Sequence, residues 1–251
     1  MERWRRRRRL ARATVLVLTA VLPVTALAVV VRSETSGVHR ADVEAVRAAT
    51  RLTSANPDLY RALLVWQEVF QARWVNLAAV VLCAGVVARA GSRAGARTPE
   101  RRGLRGRALW ALTTILVIWA LANGLKVLVA RARPALEDAL TRAPGYSFPS
   151  GHAMNTAATG VVVVLLLWPL LGRRGRAAAV TLLTVAVVGT ATDRVLLGAH
   201  YPSDVVAGVV LGAALAGASY LGYHGWGAVP VPPEEHASSD TPTSADLRGR
   251  G

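Results

Sequence analysis

Three short stretches of this 251-residue chain carry residue types with chemical capacity. Lys126 and Arg133 come first, followed by Pro134. Pro149-Ser150-Gly151-His152 is the second group, and Arg194, His200 and Asp204 are the third. Lys126, Arg133 and Arg194 offer three positive charges, and each arginine can grip an oxyanion with a two-pronged fork. That set suits a phosphate or diphosphate. Ser150-Gly151-His152 is expected at the start of a helix, where free N–H groups and the helix dipole attract anions. Gly151 lets the backbone approach such a group closely. His200 and Asp204 are spaced to meet across one helical turn. A carboxylate on one imidazole nitrogen fixes the tautomer and leaves the other as a nucleophile or base. His152 is then available as a general acid. Lys126 is the only lysine among 30 basic residues, so its position favours a compact ammonium over a planar guanidinium.

Long apolar runs must position these groups. Hydrophobic residues make up 53% of the chain and come in blocks of membrane-spanning length. The runs are Ala13–Val31, Trp74–Ala88, Ala108–Leu125, Ala153–Leu171, Ala177–Leu197 and Val205–Tyr223. Trp74–Ala88 is short, so its helix is expected to start upstream, near Leu63–Gln71. The pattern predicts an all-α integral membrane bundle of about six transmembrane helices. Basic clusters orient it. Arg5–Arg9 precede the first span, seven arginines from Arg89 to Arg107 lie between the second and third, and Arg173, Arg174 and Arg176 separate the fourth and fifth. Under the positive-inside rule these face the cytoplasm, with both termini. Lys126, Arg133, Ser150, His152, Arg194, His200 and Asp204 then all fall at the outer membrane face. The organisation expected is a basic cytoplasmic segment 1–12, a membrane domain 13–223 and a disordered cytoplasmic tail 224–251 rich in Pro, Glu, Ser, Thr and Asp. The first span has a basic lead and an Ala26-Leu27-Ala28 sequence like a cleavage site, but its apolar part is longer than a signal peptide needs, and an uncleaved helix is expected.

The charge balance is +15, which raises nucleic acid as a partner. The arginines are divided among loops between apolar blocks and form no single face, so no nucleic acid is expected. Cys83 is the only cysteine, and it cannot form an internal disulfide. No Cys/His cluster has zinc-site spacing, and no metal or other cofactor is expected.

The spacing Lys126-x6-Arg133-Pro134, then Pro149-Ser150-Gly151-His152, then Arg194-x5-His200-x3-Asp204 resembles the three-part signature of the type 2 phosphatidic acid phosphatase family. That family groups with bacterial acid phosphatases and vanadium haloperoxidases. The resemblance covers Ala108–Tyr223, and the lone lysine falls on the family's lysine position. It implies that Lys126, Arg133 and Arg194 hold a phosphate, with Ser150 and the Gly151 amide also in contact. It implies that His200 attacks phosphorus to form a phosphohistidine, that Asp204 orients His200, and that His152 protonates the leaving oxygen. One position departs from the signature: Asp193 stands where the family usually has serine. A carboxylate facing the phosphate would repel it, so Asp193 is expected to face away or to pair with an arginine.

The activity expected from this resemblance is hydrolysis of a lipid phosphate or polyprenyl diphosphate, such as undecaprenyl diphosphate or phosphatidic acid, at an outward-facing site in a bacterial plasma membrane. The substrate would be the lipid phosphate itself; oligomeric state is not written in the sequence. The alternative is a non-catalytic lipid-binding or transport-related protein on the same scaffold. Several other features have structural readings. Ala41–Leu52 has helical periodicity through Val43, Val46, Ala49 and Leu52 and is expected at the outer interface. Gly208, Gly212 and Ala216 make a small-residue stripe for close internal packing. Trp110, Trp168 and Trp226 are expected in a cytoplasmic-side aromatic belt. Tyr146 and Phe148 are expected to anchor at the interface, near a lipid.

Overall fold

The computed structural model describes residues 2–33, 36–91, 99–135, 140–141 and 144–223. Its helices are α1 (Glu2–Val31), α2 (Gly37–Ser54), α3 (Pro57–Val69), α4 (Ala72–Gly91), α5 (Pro99–Val129), α6 (Gly151–Leu167), α7 (Arg173–Leu196) and α8 (Pro202–Tyr223). A 3-10 turn at Trp168–Leu170 extends α6. Residues 224–251, with Trp226, and the loop arginines Arg93 and Arg97 lie outside the described residues.

Five helices, α1, α5, α6, α7 and α8, are each long and apolar enough to cross a membrane alone. Leu22, Leu116, Val127 and Leu182 stand exposed along three of them, α1, α5 and α7. In water these would form aggregation-prone patches; in lipid they face a matching solvent. The sixth span differs from the expected single helix beginning near Leu63–Gln71. α3 and α4 meet at a break bent by 45°. Glu68 explains the break. It gathers Gln71 Nε2 at 2.7 Å, Trp74 Nε1 at 3.0 Å and the Arg73 guanidinium. Gln71 lies in the break and Arg73 and Trp74 beyond it, and a continuous helix would not bring all three to one carboxylate.

α6 and α8 form the centre of the bundle. A Cβ on Gly208 would lie 2.6 Å from the carbonyl oxygen of Ser150, and one on Gly212 would lie 2.3 Å from that of Met154. The small-residue stripe is therefore an internal seam, where glycine lets two helix backbones touch. α1 packs on the other side of α8, and α4, α5 and α7 flank α6.

Three further expectations are revised. α2 is a helix, but its packed face is Asp42, Val46, Thr50 and Thr53, rotated from the Val43–Leu52 stripe, and Leu52 is exposed. A buried acid replaces an apolar residue there because an arginine neutralises it, as described below. Trp110 is buried, donating from Nε1 to Ser219 Oγ at 2.9 Å and stacking on Tyr223, so it is core rather than belt. Phe148 is likewise in the core at 2% exposure, while Tyr146 is exposed. The basic segment at residues 2–12 is continuous with α1.

Candidate active site

α6 begins at Gly151, so Ser150 is its N-cap. A serine there ordinarily turns its hydroxyl onto a first-turn N–H. This one does not, and its buried Oγ has no hydrogen-bond partner. The α6 N-terminus thus keeps both its backbone donors and a buried hydroxyl for something else. The Ser150 N–H donates to the Asp204 carbonyl oxygen at 2.9 Å, which ties the start of α6 to the first turn of α8.

Three cations converge on this helix end. Lys126, in the last turn of α5, lies across Gly151: a Cβ on that glycine would sit 3.3 Å from Lys126 Cε and 3.7 Å from Nζ. Lys126 Nζ donates to the Tyr146 carbonyl at 3.2 Å. Arg133 is held by the Gly145 and Ala199 carbonyls at 3.0 and 2.7 Å, and its Nη1 lies 3.1 Å from His200 Nε2. Burial pulls the Arg133 guanidinium below its ordinary value and Asp204 opposes that pull. Arg194, at the end of α7, is 3% exposed. Its Nε donates to Asp193 Oδ2 at 2.7 Å and its Nη2 to Gln67 Oε1 at 2.9 Å. Asp193 therefore pairs with an arginine, as its sequence position required. His152, half-buried in the first turn of α6, is within electrostatic reach of Arg194, His200, Lys126 and Arg133.

His200 is not on a helical turn shared with Asp204. It sits in the tight link between α7 and α8, fully buried at 2% exposure, and Asp204 is in the first turn of α8. His200 Nδ1 is 3.7 Å from Asp204 Oδ2 and 3.5 Å from Ser147 Oγ. Arg133 can only donate, so Nε2 carries the lone pair and Nδ1 the proton; this tautomer is assigned from the partners. Burial, partly offset by Asp204, lowers the His200 imidazole from 6.5 to about 4. The ring is neutral at physiological pH, with an unprotonated Nε2 that accepts from Arg133.

A second layer escaped the sequence reading. Arg131, 5% exposed, donates from Nη1 to Asp204 Oδ1 at 2.5 Å and from Nη2 to Asp42 Oδ2 at 2.7 Å. Ser203 joins Arg131 and Asp42, and Ser147 Oγ donates to Asp204 Oδ2. Arg131 was hidden among arginines that snorkel at helix ends, and only its spacing of two from Arg133 set it apart. Asp42 carried a weak signal, an acid beside the apolar stripe of α2. Gln67 carried none.

Comparison with known proteins follows the same geography. Residues 107–227 match the family model described as the PAP2 superfamily. The chain is 39% identical over 93 residues to phosphatidylglycerophosphatase B of Escherichia coli (strain K12), covering 37% of this chain and 35% of that one. It is 40% identical over 100 residues to decaprenylphosphoryl-5-phosphoribose phosphatase of Mycobacterium tuberculosis (strain ATCC 25618 / H37Rv), covering 39% and 50%. The chain thus spans half or less of the length of these relatives. The crystal structure of a transmembrane PAP2-type phosphatidylglycerolphosphate phosphatase from Bacillus subtilis superposes with a TM-score of 0.65 at 24% identity, covering 83% of this chain and 94% of that one, and so shares the fold.

Proposed function

We propose, since residues 107–227 of this chain match the PAP2 superfamily model, that the protein is a membrane phosphatase acting on a phosphate group carried by a lipid. The observation that carries this reading is His200: a buried, neutral imidazole with Nε2 facing Arg133 and Nδ1 facing Asp204, at the mouth of a helix N-terminus ringed by cations. Lys126, Arg133, Arg194, Ser150 and the Gly151 amide hold the phosphoryl oxygens, which displace Arg133 from Nε2. His200 Nε2 then attacks phosphorus in line as the bond to the lipid oxygen breaks. His152 gives its proton to that oxygen. Asp204 stabilises the imidazolium of the phosphohistidine. Water, losing its proton to His152, cleaves the P–N bond and releases inorganic phosphate. Most of the rate enhancement comes from preorganised charge around the transferring phosphoryl group.

The relatives' names point to lipid-borne phosphates as the substrate class, which suits a site at the end of five or six spans. The arginine clusters support a site at the outer face of a bacterial plasma membrane with both termini in the cytoplasm. The test is phosphate release by detergent-purified protein in EDTA from phosphatidylglycerophosphate, phosphatidic acid and undecaprenyl diphosphate. Release from any of them is expected; folded protein that releases none contradicts the reading.

Three further results are expected. Gly151→Ala pushes a methyl against Lys126, whose flexible end can yield. It should raise KM about tenfold through misplaced contacts and leave the melting midpoint within about 3 °C. Asp193→Ser removes one anchor of Arg194 while Gln67 remains, so kcat/KM should stay within about tenfold of wild type. Loss of turnover by the folded variant would give Asp193 an active part. The third concerns pH. His200 is lowered from 6.5 to about 4, so protonation is disfavoured in the folded protein. Its contribution to stability is therefore present above pH 6.5 and is lost as pH falls toward 4. The acid limb of kcat/KM, corrected for substrate ionisation, is expected well below 6.5; a limb at or above 6.5 would contradict a buried neutral nucleophile.

A further inference from the structure

We infer that Asp42 and Arg131 are positioning residues for the His200–Asp204 pair: Arg131 fixes the Asp204 carboxylate, and Asp42, from the peripheral helix α2, keeps Arg131 from neutralising it. The inference rests on the phosphatase reading above.

The geometry divides the two oxygens of Asp204. Oδ1 accepts from Arg131 Nη1 at 2.5 Å. Oδ2 accepts from Ser147 Oγ and from the Tyr201 N–H at 3.0 Å, and it is the oxygen that faces His200 Nδ1. Arg131 thus occupies one oxygen and leaves the other directed at the histidine. Its guanidinium is held in turn over the Tyr201 ring, 4.1 Å from the centroid, so its position is set from two directions. An isolated arginine on Asp204 would cancel the negative charge that the imidazolium of the intermediate needs. Asp42 restores it. Its Oδ2 takes Arg131 Nη2 at 2.7 Å, and its Oδ1 accepts the Ser203 N–H at 3.0 Å. The three side chains are all 5% exposed or less. Two carboxylates on one guanidinium leave a net charge of about minus one beside His200.

That location makes α2 part of the site although it lies outside the three motifs. Thr53 Oγ1 on the same face donates to the Leu196 carbonyl at 2.9 Å, at the end of α7, so α2 is pinned at both the α7 and α8 sides of the His200 link. The other charged or titratable groups around His200 are Lys126 from α5, Arg133 from the segment after it, His152 from α6 and Arg194 from α7. Lys126, Arg133 and Arg194 bring positive charge to this shell, and the Asp42–Arg131–Asp204 cluster is the anionic counterweight.

The test uses the full-length protein in detergent with phosphatidic acid, reading kcat, KM and the pH profile of Asp42→Asn, Arg131→Met and the double variant. Net charge beside His200 becomes about zero, minus two and minus one, respectively. The acid limb of kcat/KM is therefore expected to move down by about one pH unit in Asp42→Asn, up in Arg131→Met, and back near wild type in the double variant. Turnover should fall by about 10–100-fold in Arg131→Met with KM within about twofold, because Arg131 acts through Asp204 and does not touch substrate. A structural role alone would lower activity and stability without moving the limb in opposite directions. Limbs that stay fixed or shift the same way would overturn the inference. If one single variant fails to fold, the double variant decides it: a wild-type limb supports charge balance, and a displaced limb refutes it. Wild-type protein without phosphate release would instead refute the phosphatase reading itself.

Discussion

His200→Ala is expected to reduce lipid phosphate hydrolysis by about four orders of magnitude, roughly 5 kcal/mol of transition-state stabilisation. In the proposed mechanism His200 Nε2 is the attacking atom, and no other described side chain near the α6 N-terminus presents a neutral nitrogen held between a cation and a carboxylate. His152 is the nearest alternative, but it stands on α6 itself, half-buried, and the proposed mechanism assigns it the proton transfer instead. The variant should remain folded. Arg133 keeps the Gly145, Ala199 and Pro144 carbonyls, and Asp204 keeps Arg131, Ser147 and the Tyr201 N–H. Neither charge is left unpaired by the truncation. The cations also remain, so an unreactive phosphate analogue should still bind within about tenfold of wild type. Turnover above about one per cent of wild type would show that the attacking group lies elsewhere.

Gly208→Val is expected to damage both stability and rate, although position 208 touches no substrate. A Cβ there would lie 2.6 Å from Ser150 O, 3.1 Å from Met154 N and 3.4 Å from Ala153 Cβ. The first two are backbone atoms and cannot rotate aside, so α8 must separate from the start of α6. Overpacking of this kind costs about 1–3 kcal/mol, and more when backbone must move. Asp204 stands one turn above Gly208 and His200 just before it, so both would be carried away from Ser150 and Gly151. A displacement of about 1 Å at a reacting centre costs on the order of a hundredfold in rate. Gly222, with nothing within 4 Å of its Cβ position, is the control, and Gly222→Ala should be neutral in both measurements. Equal melting midpoints and equal kcat/KM for Gly208→Val and Gly222→Ala would contradict the seam.

Some of this was legible in the chain and some was not, for physical reasons. Spans α1, α5, α6, α7 and α8 announce themselves because lipid forces a long apolar run on any helix that crosses it. Lys126 stood out because arginine fills nearly every other basic position. Ser150, His152, Arg194, His200 and Asp204 declared themselves by spacing, and the fold brings them with Lys126 and Arg133 to one end of the bundle. The α3–α4 break was not legible, because it depends on Glu68 collecting partners from across a bend. Asp42 and Arg131 were hidden for a related reason. Buried ion pairs join residues distant in sequence, and neither member shows in a hydropathy pattern what the other will neutralise. Trp110 and Phe148 have the composition of interface anchors and the packing of core residues. Hydropathy alone does not separate those two fates.

The most direct measurement is rapid-quench trapping of the phosphoryl-enzyme with phosphatidic acid carrying a radiolabelled phosphate. The label should appear on wild-type protein in alkali-stable, acid-labile form and map to the peptide holding His200. It should be absent from His200→Ala. An acid-stable label on a hydroxyl, or a label that persists in His200→Ala, would contradict a phosphohistidine at His200.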